Sequence, residues 1–324
     1  MNEAIDNIKQ LIQNVASRIS EKSLDPGERM YLSLRPIRSF AWYIGCSDSG
    51  FLIAILETPF KSNRNFKTQT KSIACYSSTV NNYSLYRLSF ELLEHDDLSL
   101  FSQMMEDIIL ESLSGRDEIV SKKAIERFSM WQNMLKAGGA NKNKYKGLLG
   151  ELIIFQLLLD RFNSKIVIDS WIGPESKEKD YCFSDFWIEV KTVSSEALDV
   201  KITSLQQLDS PVPGYLSVCK IEETDSHGIT CYKLFEEIQN RIDSLPDIFA
   251  FRNKIEELGF MSVILNPVQY EFKLISTDVY KVMDFPGKKF PRLISSMGHP
   301  AIKSVEYSLT LAAIEDWRFS DVLR

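Results

Sequence analysis

One short apolar segment, residues 186–193, narrows the possible folds of this chain more than any other feature. Its bulky residues are Phe186, Trp187, Ile188 and Val190. Such a run is typical of a central strand that is covered on both faces of a sheet. Because side chains alternate along a strand, Glu189 and Lys191 must leave one face while their apolar neighbours enter the other. An acid and a base therefore project side by side from a strand on which unpaired charge is costly.

Hydrophobic periodicity predicts an N-terminal α+β domain over residues 1–115. Apolar residues recur at three- and four-residue steps in residues 1–19, which predicts an amphipathic helix. Residues 29–93 change to short β-rich runs separated by Pro, Gly, Asn and Ser, which predicts a small antiparallel sheet. A helix capped by His95-Asp96-Asp97 then ends at Gly115, and we place the domain boundary there.

The remaining sequence predicts an α/β core over residues 116–232 and a C-terminal α+β extension over residues 233–324. After a helix at 117–137 and a Gly- and Asn-rich break, the predicted core elements are a helix at 144–161, strands at 166–172, 181–183 and 186–193, a short helix at 206–208 and a strand at 215–221. The order is helix, three strands, helix, strand. The extension, predicted to pack on the core, has helices near 233–242 and 246–258 and strands near 270–276 and 305–311.

Composition excludes several classes of protein. The chain has 324 residues, of which 44% are hydrophobic and 25% charged, as in an ordinary folded protein. It has no apolar run of the roughly 18 residues that a membrane helix needs, and its N-terminus lacks the apolar block of a secretory signal, so we expect a cytoplasmic protein with no membrane contact. The five cysteines and three histidines are too scattered for a disulfide framework, a zinc site or a Ser/His/Asp hydrolase.

Two carboxylates are predicted to meet beside the lysine of the central strand. Asp180 lies nine residues before Glu189, and a turn near Ser184-Asp185 would place it on the neighbouring antiparallel strand. Unpaired, the two acids would repel and one would keep its proton, whereas Mg²⁺ binds carboxylate, carbonyl and water oxygens and removes the conflict. Lys191 would supply positive charge to a developing phosphorane and orient a water molecule.

Other acid-x-Lys triplets compete with this interpretation. Glu175-Ser176-Lys177 follows Gly173-Pro174 and is expected in a loop at the surface. Asp199-Val200-Lys201 is the stronger rival, because its apolar neighbours alternate as in a strand. A structural alternative also stands, in which Glu189 and Lys191 form a solvent-facing pair on an edge strand and contribute little. Because its bulky apolar residues mark 186–193 as a covered central strand, we favour Glu189 over Asp199 as the acid of the site. The same feature disfavours the solvent-facing pair.

The order of these features resembles the PD-(D/E)XK superfamily of metal-dependent nucleases, and the resemblance covers roughly residues 144–221. The matching features are the helix with Gly150-Glu151, Asp180, the triplet Glu189-Val190-Lys191 and the following helix with Gln207. One departure is that Lys179, instead of Pro, precedes Asp180. The segments 290–293 and 305–307 also look like the bacterial PD-(D/E)XK motif proteins found in restriction-like defence clusters.

The resemblance implies a restriction-endonuclease-like core and a Mg²⁺-dependent endonuclease that hydrolyses DNA phosphodiester bonds in restriction or phage defence, with Mn²⁺ able to substitute. By this resemblance, Asp180, Glu189 and the Val190 carbonyl would hold the metal in this chain, and Glu151 would reach it through water. Gln207 would hold the phosphate. Two alternatives stay open, namely a catalytically silent DNA-binding or assembly subunit of a defence complex and a nuclease directed at RNA.

The net charge and the distribution of charge limit how the chain can bind nucleic acid. The formal net charge is −6, which disfavours nonspecific coating of DNA. Between residues 116 and 146, however, eight basic residues stand against three acidic ones, which predicts a local phosphate-facing patch. Gly138-Gly139 is followed by no Gly-Lys-Ser/Thr, so nucleotide hydrolysis would need a separate protein. We expect DNA as partner, with a homodimer and an ATPase or methyltransferase protein as further candidates.

Overall fold

The computed structural model describes residues 3–33, 38–60, 66–80, 85–137, 141–173, 179–266, 269–294 and 304–319. It is a mixed α/β protein, as the sequence predicted. The chain divides into two compact units, Met1–Gly138 and Gly139–Arg324. Within the described residues, no helix combines the length and the apolar character needed to cross a membrane.

A six-stranded antiparallel sheet forms the first unit, which confirms the predicted sheet. Its strands are β1 (Arg29–Leu32), β2 (Ala41–Cys46), β3 (Leu52–Thr58), β4 (Lys67–Gln69), β5 (Ile73–Val80) and β6 (Leu85–Leu92). They lie in the order β1-β2-β3-β6-β5-β4. Every described neighbouring pair is antiparallel. Neighbours are consecutive in the chain except β3 and β6, which pair across the β4–β5 segment.

Three helices complete the first unit: α1 (Glu3–Ser20), α2 (Leu98–Leu113) and α3 (Val120–Ala137). Helix α3 packs on α2 through a buried ion pair in which Arg127 Nε lies 2.7 Å from Asp107 Oδ2. Trp131 Nε1 donates to the same carboxylate oxygen at 2.8 Å. The first unit therefore extends to residue 138, whereas the sequence placed a boundary after Gly115 and assigned α3 to the core.

The second unit contains five described helices and six described strands. The helices are α4 (Lys142–Leu158), α5 (Ser164–Ser170), α6 (Cys231–Arg241), α7 (Leu245–Glu257) and α8 (Met261–Ile264). The strands are β7 (Tyr181–Cys182), β8 (Trp187–Ser194), β9 (Asp199–Ile202), β10 (Gly214–Glu223), β11 (Phe272–Val282) and β12 (Tyr307–Thr310). A 3-10 helix, Leu205–Gln207, connects β9 to β10.

A four-stranded sheet organises this unit, in the order β11-β10-β8-β7. Strand β8 runs parallel to β10 and antiparallel to β7, so it is an internal strand as its apolar sequence predicted. Strands β9 and β12 pair separately. Helix α4 packs against β8 and α6, and the predicted C-terminal extension supplies β11 to the same sheet.

The strand predicted at residues 166–172 is wrong. This segment is mostly helix α5, which Asn163 caps by accepting a hydrogen bond from the Ile166 backbone N at 3.0 Å. Its β-branched residues suggested a strand, but α5 packs on α7 and buries Val167 and Ile168 there, so tertiary contacts override the local preference. The observed order from α4 to β10 is helix, helix, three strands, 3-10 helix and strand.

None of the five cysteines forms a disulfide among the described residues, and four of them are buried, as is common for this small apolar side chain. Cys182 is exposed. It lies at the end of the two-residue strand β7, where alternation turns its side chain away from the buried Tyr181.

Candidate active site

The pairing of β7 with β8 brings Asp180 to Glu189. Tyr181 lies opposite Ile188, and one further step in this antiparallel register places Asp180 opposite Glu189. The Asp180 backbone N donates to the Ile188 carbonyl at 3.2 Å. The carboxylate turns onto β8 as well, because its Oδ2 accepts a hydrogen bond from the Val190 backbone N at 2.7 Å. The two acids thus share one region of the sheet, as the sequence predicted from a turn near residues 184–185.

Helix α4 contributes Glu151, which is 8% exposed. Its Oε2 accepts a hydrogen bond from Trp171 Nε1 at 2.7 Å. The Tyr181 hydroxyl donates to the Glu151 backbone carbonyl at 2.7 Å. Two aromatic side chains therefore fix both the backbone and the carboxylate of Glu151, and Tyr181 ties the helix directly to the strand that follows Asp180.

Lys191 is placed between an acid and an amide. Its Nζ lies 2.8 Å from Glu189 Oε1 and donates to Gln207 Oε1 at 3.2 Å. Gln207 Oε1 also accepts from the Thr203 backbone N at 2.8 Å. The carbonyl side of the Gln207 amide is therefore occupied by two donors, so the group that Gln207 can offer to a phosphate oxygen is its Nε2.

The pKa of each acid in this cluster is raised. Burial raises the pKa of Asp180 to about 6, against the hydrogen bond from the Val190 N and the charge of Lys191. Burial and then the charge of Asp180 raise the pKa of Glu189 to about 8, although Lys191 opposes the shift. The pKa of Glu151 is raised well above its usual range by burial and then by the charge of Asp180. Without a cation, Glu189 and Glu151 therefore favour their protonated forms at neutral pH, whereas Asp180 is mostly ionised.

This donor set fits a hard divalent cation. Oxygen ligands are what Mg²⁺ prefers, and mutual repulsion between buried carboxylates is what such a cation relieves. In the part of the chain that the structure describes, no three His, Cys, Asp or Glu side chains form a ready metal-binding group. A cation bound by Asp180 and Glu189 would therefore complete its coordination with oxygens from the backbone, including the Val190 carbonyl, and from water.

The rival triplet that the structure describes, Asp199-Val200-Lys201, does not form a comparable site. Asp199 and Lys201 on β9 are exposed, and Lys201 Nζ pairs with Glu306 Oε1 at 2.7 Å. Glu175-Ser176-Lys177 lies outside the described residues. The edge-strand alternative for Glu189 is wrong as well, because β8 lies between two strands and Glu189 is only 2% exposed.

The basic residues between 116 and 146 do not form one surface within a single unit. Those before residue 138 belong to the first unit and the others to the second. Arg127 is 4% exposed and paired with Asp107, so it cannot face phosphate as the sequence suggested. Lys142 Nζ lies 2.5 Å from Glu223 Oε2, and Lys144 Nζ donates to the Gly259 carbonyl at 3.0 Å. Several of these charges thus have partners within the protein.

Sequence reasoning missed three residues that support the cluster. Trp171 was assigned to a strand, and no local pattern showed that its indole would reach Glu151. Tyr181 was placed on its strand, but its contact with α4 spans thirty residues of sequence. Lys179 enters the sequence prediction only as a departure from the family pattern, although its place beside the first acid of the predicted metal site could have indicated a role.

An Asp opposite an acid-x-Lys strand, with a Glu from the preceding helix, is the arrangement that the resemblance to PD-(D/E)XK proteins implied. The comparison of the whole chain agrees with this class. Residues 12–312 match the family model described as "Putative PD-(D/E)XK family member, (DUF4420)", so the chain belongs to that family and the predicted resemblance is confirmed. No curated protein and no solved structure gives a significant match.

Proposed function

We propose that this protein is a metal-dependent nuclease that hydrolyses phosphodiester bonds of DNA. The observation that carries the proposal is the grouping of buried Asp180 and Glu189 with the Lys191 ammonium, 2.8 Å from Glu189 Oε1. Membership of a PD-(D/E)XK family supports a nuclease-like function. The described elements α4, β7, β8 and β10 are those on which we base a restriction-endonuclease-like core.

The chemistry of each side chain in the cluster indicates its role in phosphodiester hydrolysis. Mg²⁺ or Mn²⁺, held by Asp180, Glu189 and the Val190 carbonyl, would supply positive charge at the phosphate and acidify a water molecule. Lys191 would stabilise the negative charge that develops on the phosphate oxygens. Gln207 orients Lys191 through its Oε1 and would donate to phosphate through Nε2. Glu151 adds a third carboxylate, whose pKa is raised by burial and then by the charge of Asp180.

Cleavage of duplex DNA in Mg²⁺ or Mn²⁺ tests this function. We expect the wild type to cut and Lys191→Ala to lose about a hundredfold or more in rate, the size expected when a charge at the reacting centre is removed. Lys201→Ala is the matched control, since Lys201 belongs to the exposed rival triplet and pairs only with Glu306 among the ion pairs described. Equal rates for the wild type and Lys191→Ala would overturn the assignment.

A non-cutting DNA-binding or assembly subunit is the second candidate. Two observations favour it. The described residues contain no group of three side chains that could bind a metal, and the Glu189 carboxylate already pairs with the Lys191 ammonium. Calorimetry with Mn²⁺ separates the two candidates. If the protein is a nuclease, Asp180→Ala should weaken its Mn²⁺ affinity at least tenfold. Equal heats of Mn²⁺ binding in the wild type and in Asp180→Ala would favour the non-cutting subunit.

The polymer and the biological setting belong to the same proposal. Phosphodiester hydrolysis uses the same carboxylates on DNA and on RNA, so matched DNA and RNA substrates are needed in the cleavage assay. We propose a role in restriction or phage defence, with DNA as partner and with a homodimer providing two sites for the two strands. An ATPase protein would supply nucleotide hydrolysis, for which Gly138-Gly139 lacks the Gly-Lys-Ser/Thr continuation. A methyltransferase protein is the other candidate partner.

A further inference from the structure

Lys179 is a buried lysine that the proposed roles above leave unused. It is 6% exposed, although lysine is rarely buried without partners for its charge. Its Nζ lies 4.2 Å from the centroid of the Trp187 ring. The same atom donates hydrogen bonds to the backbone carbonyl of Gln206 and, at 3.2 Å, to that of Asp209.

The residues that carry these two carbonyls lie on either side of Gln207 in the sequence. Lys179 is also the residue directly before Asp180, so its backbone belongs to the segment that enters β7. One side chain therefore connects the segment that carries the Asp180 carboxylate to the 3-10 helix that carries the Gln207 amide. Gln207 in turn contacts Lys191 Nζ at 3.2 Å, which extends the connection to the third member of the cluster.

The contact with Trp187 determines the direction in which the Lys179 side chain extends. Trp187 is the first residue of β8 and is 2% exposed, and its Nε1 donates to the Val212 carbonyl at 3.1 Å. An ammonium over a buried indole face is stabilised by the ring quadrupole. The side chain of Lys179 thus lies along a rigid surface of the sheet and directs its donors at the 206–209 segment.

We infer that Lys179 is a positioning residue for the Gln207 amide and, through Gln207, for the Lys191 ammonium. The inference rests on the proposed nuclease function for its consequence in catalysis. The contact itself is independent of that function. Without the lysine, the 3-10 helix would lose this connection to the segment that carries Asp180, and the Gln207 amide would be held less firmly relative to the acids.

Kinetics of cleavage test the catalytic consequence. We expect Lys179→Met, which keeps an unbranched side chain over Trp187, to lower kcat about ten- to a hundredfold, the effect of losing hydrogen bonds from a charged donor. Mn²⁺ affinity measured by calorimetry should not fall. Lys179→Arg should recover part of the rate, and the exposed Lys201→Met should match the wild type.

A double-mutant cycle shows whether Lys179 acts through Gln207. If it does, Gln207→Ala should reduce the rate much less in the Lys179→Met background than in the wild type, because the amide is already misplaced. Losses that simply multiply would overturn the inference. So would a Mn²⁺ affinity that falls in parallel with the rate, since that would indicate a general disturbance of the cluster.

Hydrogen exchange separates this inference from the proposed function. We expect Lys179→Met to speed amide exchange at least tenfold in a peptide covering residues 203–209, where the Thr203 N bonds to Gln207 Oε1. Lys201→Met should leave that exchange unchanged. If Lys179→Met speeds this exchange but the wild type cuts no nucleic acid, the proposed nuclease function is wrong and the inferred positioning contact stands. Unchanged exchange in Lys179→Met, or in Lys179→Gln if the Met variant does not fold, would contradict the inference.

Discussion

Burial of Glu189 is the residue-level fact from which the chemistry of the cluster follows. At 2% exposure the carboxylate loses hydration, and the charge of Asp180 adds to that penalty. Lys191 compensates only in part. The sequence revealed Asp180, Glu189 and Lys191 as a group, because strand alternation and a short turn are local rules. It did not reveal Trp171 or the contacts of Lys179, which depend on parts of the chain that meet only after folding.

The raised pKa of Glu189 predicts how stability depends on pH in the cation-free protein. The folded acid has a pKa of about 8 against an ordinary value of 4.5, so the folded state binds more protons between these values. The free energy of unfolding should therefore fall as pH rises from about 4.5 to about 8, by on the order of a few kcal/mol, and then level off.

Urea unfolding at several pH values measures this dependence. Glu189→Gln cannot ionise and should show a shallower fall over the same pH range, while Asp199→Asn, a change at an exposed acid, should follow the wild type. A fall of the same size in Glu189→Gln and in the wild type would show that Glu189 does not carry the shift.

At the scale of elements, the close approach of α4 to β8 decides where Glu151 lies. Gly150 precedes Glu151, and a Cβ atom there would overlap Thr192 Oγ1 on β8. The sequence predicted both elements, because the helix is long and the strand strongly apolar. It failed at α5, where a short β-branched run permits either structure and packing on α7 decides.

Substitution of two glycines in α4 tests this packing. Gly150→Ala should destabilise the protein by about 1–3 kcal/mol, because the methyl group must displace Thr192 or the helix. Gly147→Ala is the matched control. A Cβ at Gly147 would meet no atom of the described residues within 4 Å, so the change should stabilise the helix by about 0.5–1 kcal/mol.

Chemical denaturation gives both values. The Thr192 hydroxyl is buried and has no hydrogen-bond partner among the described residues, so Thr192→Ala should restore part of the stability lost in Gly150→Ala. Equal effects of the two glycine substitutions would mean that α4 does not approach β8 as closely as the structure shows.

At the scale of the whole molecule, the family match covers residues 12–312 and so includes both units. The sequence separated an N-terminal α+β part from the rest but placed the boundary after Gly115, about twenty residues before the division in the structure. Gly115 was a sound signal for the end of a helix. Nothing local showed that Arg127 would pair with Asp107 and hold α3 in the first unit.

The Asp107–Arg127 pair predicts where the first unit is most vulnerable. Asp107 accepts from Arg127 Nε at 2.7 Å, from Arg127 Nη2 at 2.9 Å and from Trp131 Nε1 at 2.8 Å. Asp107→Ala leaves a buried guanidinium without this carboxylate and should destabilise the first unit by about 3–5 kcal/mol. Scanning calorimetry should show an early transition, while Mn²⁺ affinity at temperatures below it stays at the wild-type value. A parallel loss of Mn²⁺ affinity would contradict this separation.

The most direct measurement is anomalous diffraction from crystals soaked in Mn²⁺. We predict a peak bound by the carboxylates of Asp180 and Glu189 and by the Val190 carbonyl, with Lys191 nearby, and no peak at that position in Asp180→Ala. A fully soaked crystal with no density between Asp180 and Glu189, or with manganese bound at Asp199 instead, would contradict the assignment of this cluster as a metal-dependent nuclease site.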